Sequence, residues 1–163
     1  MEGFLSSSVN APPAEHFVDE GLFTFLVNHE VHKATRLRYY LSIICLTPDL
    51  PATEITKDLT DKLTGVALRH LRATDVVSAF RSSCLALLLI DAEARNLPGI
   101  FRRLTDGFSL LSMPLTFSAG GACYPQTATG GADLLQQATE QLTRARTEGG
   151  NRLSLPPGCS GLD

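Results

Sequence analysis

Apolar residues near the start of the chain recur every three to four positions, which is the spacing of one face of an α-helix. The pattern predicts a helix over residues 16–38. Its buried stripe is Phe23, Leu26, Val27, Val31, Ala34 and Leu37. A β-rich run follows over residues 40–46, and because it is too short for a helix we expect a strand that Pro48 ends.

The middle of the chain alternates between helical and extended patterns. Pro51 suits the first turn of a helix, where its missing N–H costs no hydrogen bond, so a second helix is predicted from Pro51 to about residue 72. Strands are predicted over residues 75–80 and 84–90, joined by a tight hairpin. Asn96 is expected to cap a third helix, which Gly107 closes.

The last third of the chain contains one extended segment and one helix. The segment over residues 113–124 is interrupted by Gly120-Gly121, where we expect a bulge or a close backbone contact. Gly149-Gly150 ends the final helix. The buried stripe of that helix is Leu134, Leu135, Ala138, Leu142 and Ala145.

The order of these elements predicts an α+β fold. Its β-α-β-β-α-β part is the signature of a ferredoxin-like (palm-type) core, with a central, mostly antiparallel sheet flanked by helices. We expect the helices of this part to pack on one face of the sheet, and the chain adds an N-terminal helix and a C-terminal helix to it. Residues 15–153 are predicted to form one domain between flexible segments at 1–14 and 154–163.

The composition and net charge of the chain argue against several classes of protein function. The 163 residues are 44% hydrophobic and 19% charged, which is ordinary for a globular domain. The longest apolar run, residues 85–90, is strand-sized, and neither a membrane span nor a secretory signal is predicted. The net charge of −3 argues against nucleic acid as a partner. The four scattered cysteines favour a reduced, cytoplasmic protein.

Two groups of reactive residues have simple structural interpretations. His29 and His32 lie one helical turn apart, as metal ligands can. No second ligand pair is evident, so we interpret them as part of a solvated helix face and expect no metal site. Ser82, Ser83 and Cys84 include possible nucleophiles, but no histidine or acid is placed in sequence to support them, and we interpret them as hairpin residues.

Arg72 and Asp75 form an R-x-x-D motif, and the segment Val76–Phe80 separates them from Arg81-Ser82-Ser83-Cys84-Leu85 in the hairpin. This register resembles that of GGDEF domains, in which R-x-x-D lies five residues before the G-G-D/E-E-F hairpin. Residues 116–125 are similar to the family's T-x-S-x-G-x-A-x-Y-P strand. Residues 134–153 are similar to its closing helix, and Glu30, Lys33-Ala34 and Arg36 to its E-x-x-R-A-x-R helix. The resemblance covers roughly residues 22–153.

This chain replaces residues that GGDEF domains use for cyclase chemistry. The hairpin glycines and acids become Arg81-Ser82-Ser83-Cys84, although metal-bound GTP requires carboxylates and a close backbone approach. The metal-binding acid that ends the family's first strand aligns near Thr47 of this chain. Asp49 is close by, but it lies beyond Pro48 and lacks a partner. We therefore expect a catalytically inactive domain that needs no cofactor.

The retained R-x-x-D motif implies the family's inhibitory site, which binds cyclic di-GMP away from the hairpin. An arginine can grip guanine or phosphate with two hydrogen bonds, and a carboxylate can accept from guanine. The family's additional arginine aligns with Arg103, with Arg102 as its neighbour. The resemblance thus implies a cyclic di-GMP receptor at Arg72, Asp75, Arg103 and Arg102. The resemblance also implies that the bound ligand can bridge a homodimer.

Two alternatives stay open on the sequence. Arg72 and Asp75 also fit an exposed ion pair of little energetic value, and the arginines at 102 and 103 fit a favourable interaction with a helix dipole. The whole chain also fits a ligand-independent pseudoenzyme that serves as a dimerisation or protein-docking module, for which the apolar stretch over residues 110–113 is a candidate surface. In that case an unidentified protein would be the partner.

Overall fold

A computed structural model describes residues 16–81 and 84–158. Within these ranges a six-stranded sheet lies between two pairs of helices. The strands are β1 (Phe17–Val18), β2 (Leu41–Pro48), β3 (Val76–Phe80), β4 (Cys84–Ile90), β5 (Phe117–Tyr124) and β6 (Arg152–Ser154). The helices are α1 (Glu20–Leu37), α2 (Lys57–Arg69), α3 (Leu97–Ser109) and α4 (Gly131–Thr147).

The strands follow the order β1-β3-β4-β2-β5-β6. The four central strands pair antiparallel, whereas the short edge strands β1 and β6 pair parallel with β3 and β5. From β2 to β5 the chain runs β-α-β-β-α-β, so the predicted α+β, ferredoxin-like core is confirmed. The terminal helices α1 and α4 are the predicted additions to it.

Two apolar layers cover the two faces of the sheet. Helices α2 and α3 pack on one face, around residues such as Leu63, Leu104 and Phe108. Helices α1 and α4 pack on the other, around Phe23 and Leu134. The two helices of the β-α-β-β-α-β part, α2 and α3, therefore share one face of the sheet as predicted, and the two terminal helices cover the other face with their apolar stripes.

The first two helices begin later than their periodicity suggests. Asp19 accepts a hydrogen bond from the backbone N–H of Leu22 at 2.7 Å, so α1 begins at Glu20, after β1. Thr56 accepts from the backbone N–H of Leu59 at 3.1 Å and sets the start of α2. The predicted start at Pro51 is wrong because Pro51 precedes a separate 3₁₀ turn, Ala52–Glu54.

The ends of α3 also differ from the prediction. The side chain of Asn96 accepts from the backbone N–H of Glu93, the N-cap residue of the 3₁₀ turn Ala94–Asn96, and makes no capping bond to α3. Gly107 lies inside the helix, which continues to Ser109. A Cβ at residue 107 would lie 2.6 Å from Nε2 of His70 and 2.9 Å from Cγ1 of Val66, so the glycine serves packing here and does not end the helix.

Strand β5 passes through its two glycines without a break. The ladder is uninterrupted, since Gly120 pairs with Cys45 and Gly121 pairs with Ile44. The expected bulge is therefore wrong. The close backbone contact is confirmed, because a Cβ at Gly120 would lie 2.6 Å from the carbonyl carbon of Gln141 in α4. Helix α4 therefore packs directly on the strand backbone.

The predicted terminal segments have different outcomes. Residues 1–14 lie outside the described residues, and so do residues 159–163. Ser154, the first residue of the predicted tail, ends β6, and Leu155 packs against the core. Among the described residues, no helix is long and apolar enough to cross a membrane.

Candidate functional site

The Asp75 side chain ties together the beginning of β3 and the end of β4. Its two carboxylate oxygens accept hydrogen bonds from the backbone N–H of Arg72 at 3.0 Å and of Ile90 at 2.9 Å. The residue is only 3% exposed. A buried carboxylate needs such donors, since leaving it unpaired is costly. Asp75 therefore fixes the conformation of the loop that carries Arg72.

Arg72 projects from this loop with much of its guanidinium accessible. Its Nη2 donates to the backbone oxygen of Ile90 at 2.6 Å, and its Nε lies 3.8 Å from Oδ2 of Asp75. The side chain nevertheless remains 60% exposed. The ion pair predicted as an alternative is present, but it occupies one edge of the guanidinium and leaves donors free to meet a ligand.

Arg102 and Arg103 approach the same place from α3, and both are exposed. Neither forms an ion pair with any other described residue. Together with Arg72 and Asp75 they line one cavity of about 670 Å³. The structure thus brings together all four residues that the sequence selected. The complete lining is His70, Arg72, Asp75, Leu89, Asp91, Ala92, Asn96, Gly99, Ile100, Arg102 and Arg103.

Three polar residues of this cavity, His70, Asp91 and Asn96, were missed by sequence reasoning. His70 is the C-cap residue of α2 and lies two positions before Arg72. Asp91 follows β4 with a positive φ of 58°. The proximity of His70 to the R-x-x-D motif was the available signal, whereas the positions of Asp91 and Asn96 depend on the path of the loop after β4.

The hairpin lies at the opposite end of the sheet from this cavity. The five residues of β3 lie between Asp75 and Arg81, which are therefore about 20 Å apart along the strand. Thr47 is 1% exposed near the end of β2, at the hairpin end. The cavity and the region of the family's catalytic motif are therefore two separate places on this domain.

Asp49 occupies a structural position at the hairpin end. Its carboxylate accepts from the hydroxyls of Thr116 and Ser118 at 2.5 Å each, and from the backbone N–H of Asn151 at 2.9 Å. Two hydroxyls and a backbone amide therefore hold this carboxylate. The carboxylate joins the end of β2 to the beginning of β5 and to the turn before β6.

The three described cysteines are free thiols inside or beside strands. The side chain of Cys84 hydrogen-bonds to Cys45, and together with complete burial this raises the pKa of Cys45 well above its usual value. Burial likewise raises the pKa of Cys123. A raised pKa keeps a thiol protonated and unreactive. Ser82, Ser83 and Cys159 lie outside the described residues.

The pair of histidines on α1 is exposed, as predicted for a solvated face. The ring of His29 stacks on Phe25 with 6.0 Å between ring centroids. Within residues 16–81 and 84–158, histidine, cysteine, aspartate and glutamate form no group of three or more that could hold a metal ion.

No protein-family model and no curated protein sequence matches the chain. Solved structures do match. The isolated GGDEF domain of TpbB (YfiN) from Pseudomonas aeruginosa has a TM-score of 0.74 at 18% identity, over 85% of this chain and 90% of that one. The GGDEF domain of DgcB from Caulobacter crescentus, in complex with c-di-GMP, has a TM-score of 0.70 at 12% identity, over 85% and 88%.

A third match is the diguanylate cyclase SiaD from Pseudomonas aeruginosa, in complex with its activator SiaC. Its TM-score is 0.71 at 14% identity, over 96% of this chain and 66% of that one. At these identities the matches establish the fold: this chain has the fold of the GGDEF domains of diguanylate cyclases.

Proposed function

We propose that this chain is a cyclic di-GMP receptor that does not itself make cyclic di-GMP. The observation that supports the proposal is the convergence of Arg72, Arg102 and Arg103 with Asp75 on one cavity. Along β3, Asp75 of that cavity lies about 20 Å from Arg81 of the hairpin. A domain of the same fold, that of DgcB, has been solved with c-di-GMP bound.

The cavity suits a ligand that carries two phosphodiesters. Three guanidinium groups face it, against the two carboxylates of Asp75 and Asp91, so its local charge is positive in a chain whose net charge is −3. Guanidinium groups bind phosphate oxygens or the O6 and N7 edge of guanine with paired hydrogen bonds. The volume of about 670 Å³ lies within the usual range of small-molecule sites.

The four residues have different roles in this proposal. Arg72 and Arg103 bind the ligand directly from the two sides of the cavity, and Arg102 adds positive charge beside Arg103. Asp75 acts as a positioning residue, because its two oxygens already accept backbone N–H groups and its side chain is 4% exposed. This is a different role from the direct contact with guanine that the sequence suggested.

Isothermal titration calorimetry of the full chain with cyclic di-GMP tests the proposal. Charge-assisted hydrogen bonds contribute about 1.5–3 kcal/mol each, so Arg72→Ala or Arg103→Ala is expected to weaken binding by about tenfold or more. Arg36→Ala is the matched control, because Arg36 is an exposed arginine in the last turn of α1. No heat at tens of micromolar ligand, or equal affinities for all the variants, contradicts the proposal.

The absence of cyclase activity is the second half of the proposal. The side chain of Thr47 is not a metal-binding carboxylate, and that of Asp49 is engaged by Thr116, Ser118 and Asn151. The hairpin that follows Arg81 carries no acid in the sequence. Incubation with GTP and magnesium, followed by chromatography, is expected to give no cyclic di-GMP; measurable product refutes this half.

A ligand-independent docking module is the second candidate function. Leu110, directly after α3, is 82% exposed, which supports it; the neighbouring Leu111 and Met113 instead pack against the core. Light scattering with and without cyclic di-GMP separates the candidates. A receptor bridged by its ligand becomes a dimer only when the ligand is added, whereas a docking module self-associates to the same extent in both samples.

A further inference from the structure

His70 lines the cavity that Arg72, Arg102 and Arg103 border, at the point where α2 ends. Its backbone N–H donates to the carbonyl oxygen of Ala67 at 3.0 Å and closes the last turn of the helix. Its side chain lines the cavity together with Arg72, two residues later in the chain. The residue is exposed, so the imidazole is accessible to a ligand and to protons.

Helix α3 is shaped to receive this imidazole. Gly107 is buried in the last part of α3, where glycine is less favourable than alanine by about 0.5–1 kcal/mol. A Cβ there would lie 2.6 Å from Nε2 and 3.3 Å from Cδ2 of His70. One edge of the ring therefore rests on the α3 backbone, next to the turn that carries Arg103, and this contact limits its movement.

The charges around His70 come from every segment that borders the cavity. Arg72 and Asp75 lie on the loop after α2, Asp91 follows β4, and Arg102 and Arg103 lie on α3. Arg69 precedes His70 on its own helix, and Asp106 precedes Gly107 on α3. The titratable side chains lining the cavity beside His70 are thus three arginines and two aspartates.

We propose that His70 is a further ligand-contacting residue of this cavity, and that its protonated form tightens the binding of the anionic dinucleotide. The inference rests on the proposed function. Histidine changes its charge between about pH 5 and pH 8, whereas phosphodiesters stay ionised across that range. An imidazolium about 5 Å from a ligand phosphate in a water-like surrounding strengthens binding about fourfold.

The test is the dissociation constant of cyclic di-GMP measured by calorimetry on the full chain at about pH 6 and about pH 8. The unaltered protein is expected to bind about fourfold more tightly at the lower pH, and His70→Gln to bind equally at both. His32→Gln is the matched control, because His32 is an exposed histidine on α1. It is expected to behave as the unaltered protein.

A second measurement does not depend on a variant. Calorimetry near neutral pH in two buffers of different ionisation enthalpy reports proton uptake, and binding is expected to take up a fraction of a proton. If His70→Gln keeps the pH dependence, or if binding takes up no proton, the role of His70 is refuted and the receptor proposal stands. If the unaltered protein does not bind at either pH, the receptor proposal itself fails.

Discussion

Replacing Gly120 with alanine tests the direct packing of α4 on β5. A Cβ at this position would lie 2.6 Å from the carbonyl carbon of Gln141, and closer still to the backbone nitrogen of Leu142 and the carbonyl oxygen of Ala138. Non-bonded carbon atoms are normally about 3.5–4.0 Å apart. All three neighbours are backbone atoms of a helix, so none can rotate aside, and α4 must move outward by about 1 Å.

The loss of folding free energy follows from the size of this displacement. Overpacking a core by one methyl group costs about 1–3 kcal/mol, and occasionally more. Because the clash involves only backbone atoms, we expect Gly120→Ala to lower the free energy of unfolding by about 3 kcal/mol. This is a large fraction of the total of about 5–15 kcal/mol that holds a domain folded. The midpoint of thermal unfolding should fall by about 6–12 °C.

Urea denaturation followed by circular dichroism measures this change, and Gly65→Ala is the matched control. Gly65 lies in the middle of α2, and a Cβ there would meet no atom within 4 Å. Alanine is expected to stabilise that position by about 0.5–1 kcal/mol. If Gly120→Ala unfolds at the same urea concentration as the unaltered protein, α4 does not pack on the strand backbone as described.

Three further substitutions test other contacts by urea denaturation. Asp49→Ala leaves three donors without their acceptor and should cost about 2–3 kcal/mol; an unchanged midpoint would contradict the described network. Burial and the hydrogen bond to Glu30 raise the pKa of Tyr39 to about 12. The unfolded tyrosine ionises near pH 10 while the folded one stays protonated, so stability falls as the pH rises from about 10 to about 12, and Tyr39→Phe should lessen that fall. Thr56→Ala removes the cap of α2 and should cost about 0.5–2 kcal/mol, whereas Glu54→Ala, in the preceding turn, should change little.

The central elements could be predicted from the sequence because each is long enough to show its period. The strands over residues 41–48 and 84–90 and the four helices all carry continuous apolar stripes. The edge strands β1 and β6 could not, because two or three residues have no period. The start of α2 was misplaced because proline at 51 and threonine at 56 are both good starting signals, and only the tertiary structure decides between them.

The candidate site, too, could be predicted from the sequence only in part. The resemblance selected Arg72, Asp75, Arg102 and Arg103, and the fold brings them to one cavity. The role of Asp75 could not be predicted, because one of its donors, the N–H of Ile90, lies 15 residues away on another strand. The partners of Asp49 lie 67 to 102 residues away, and no local pattern relates such distant positions.

The two edge strands also bear on how the sheet meets other chains. Within residues 16–81 and 84–158, β1 covers two residues of β3 and β6 covers three residues of β5, both in parallel. A long, flat edge with free N–H and C=O groups invites strands of other molecules to add to it and begins aggregation. Here each edge ends in a strand of two or three residues, which is too short a ladder to guide such an addition. The same short strands that escape sequence prediction therefore protect the sheet from intermolecular strand pairing.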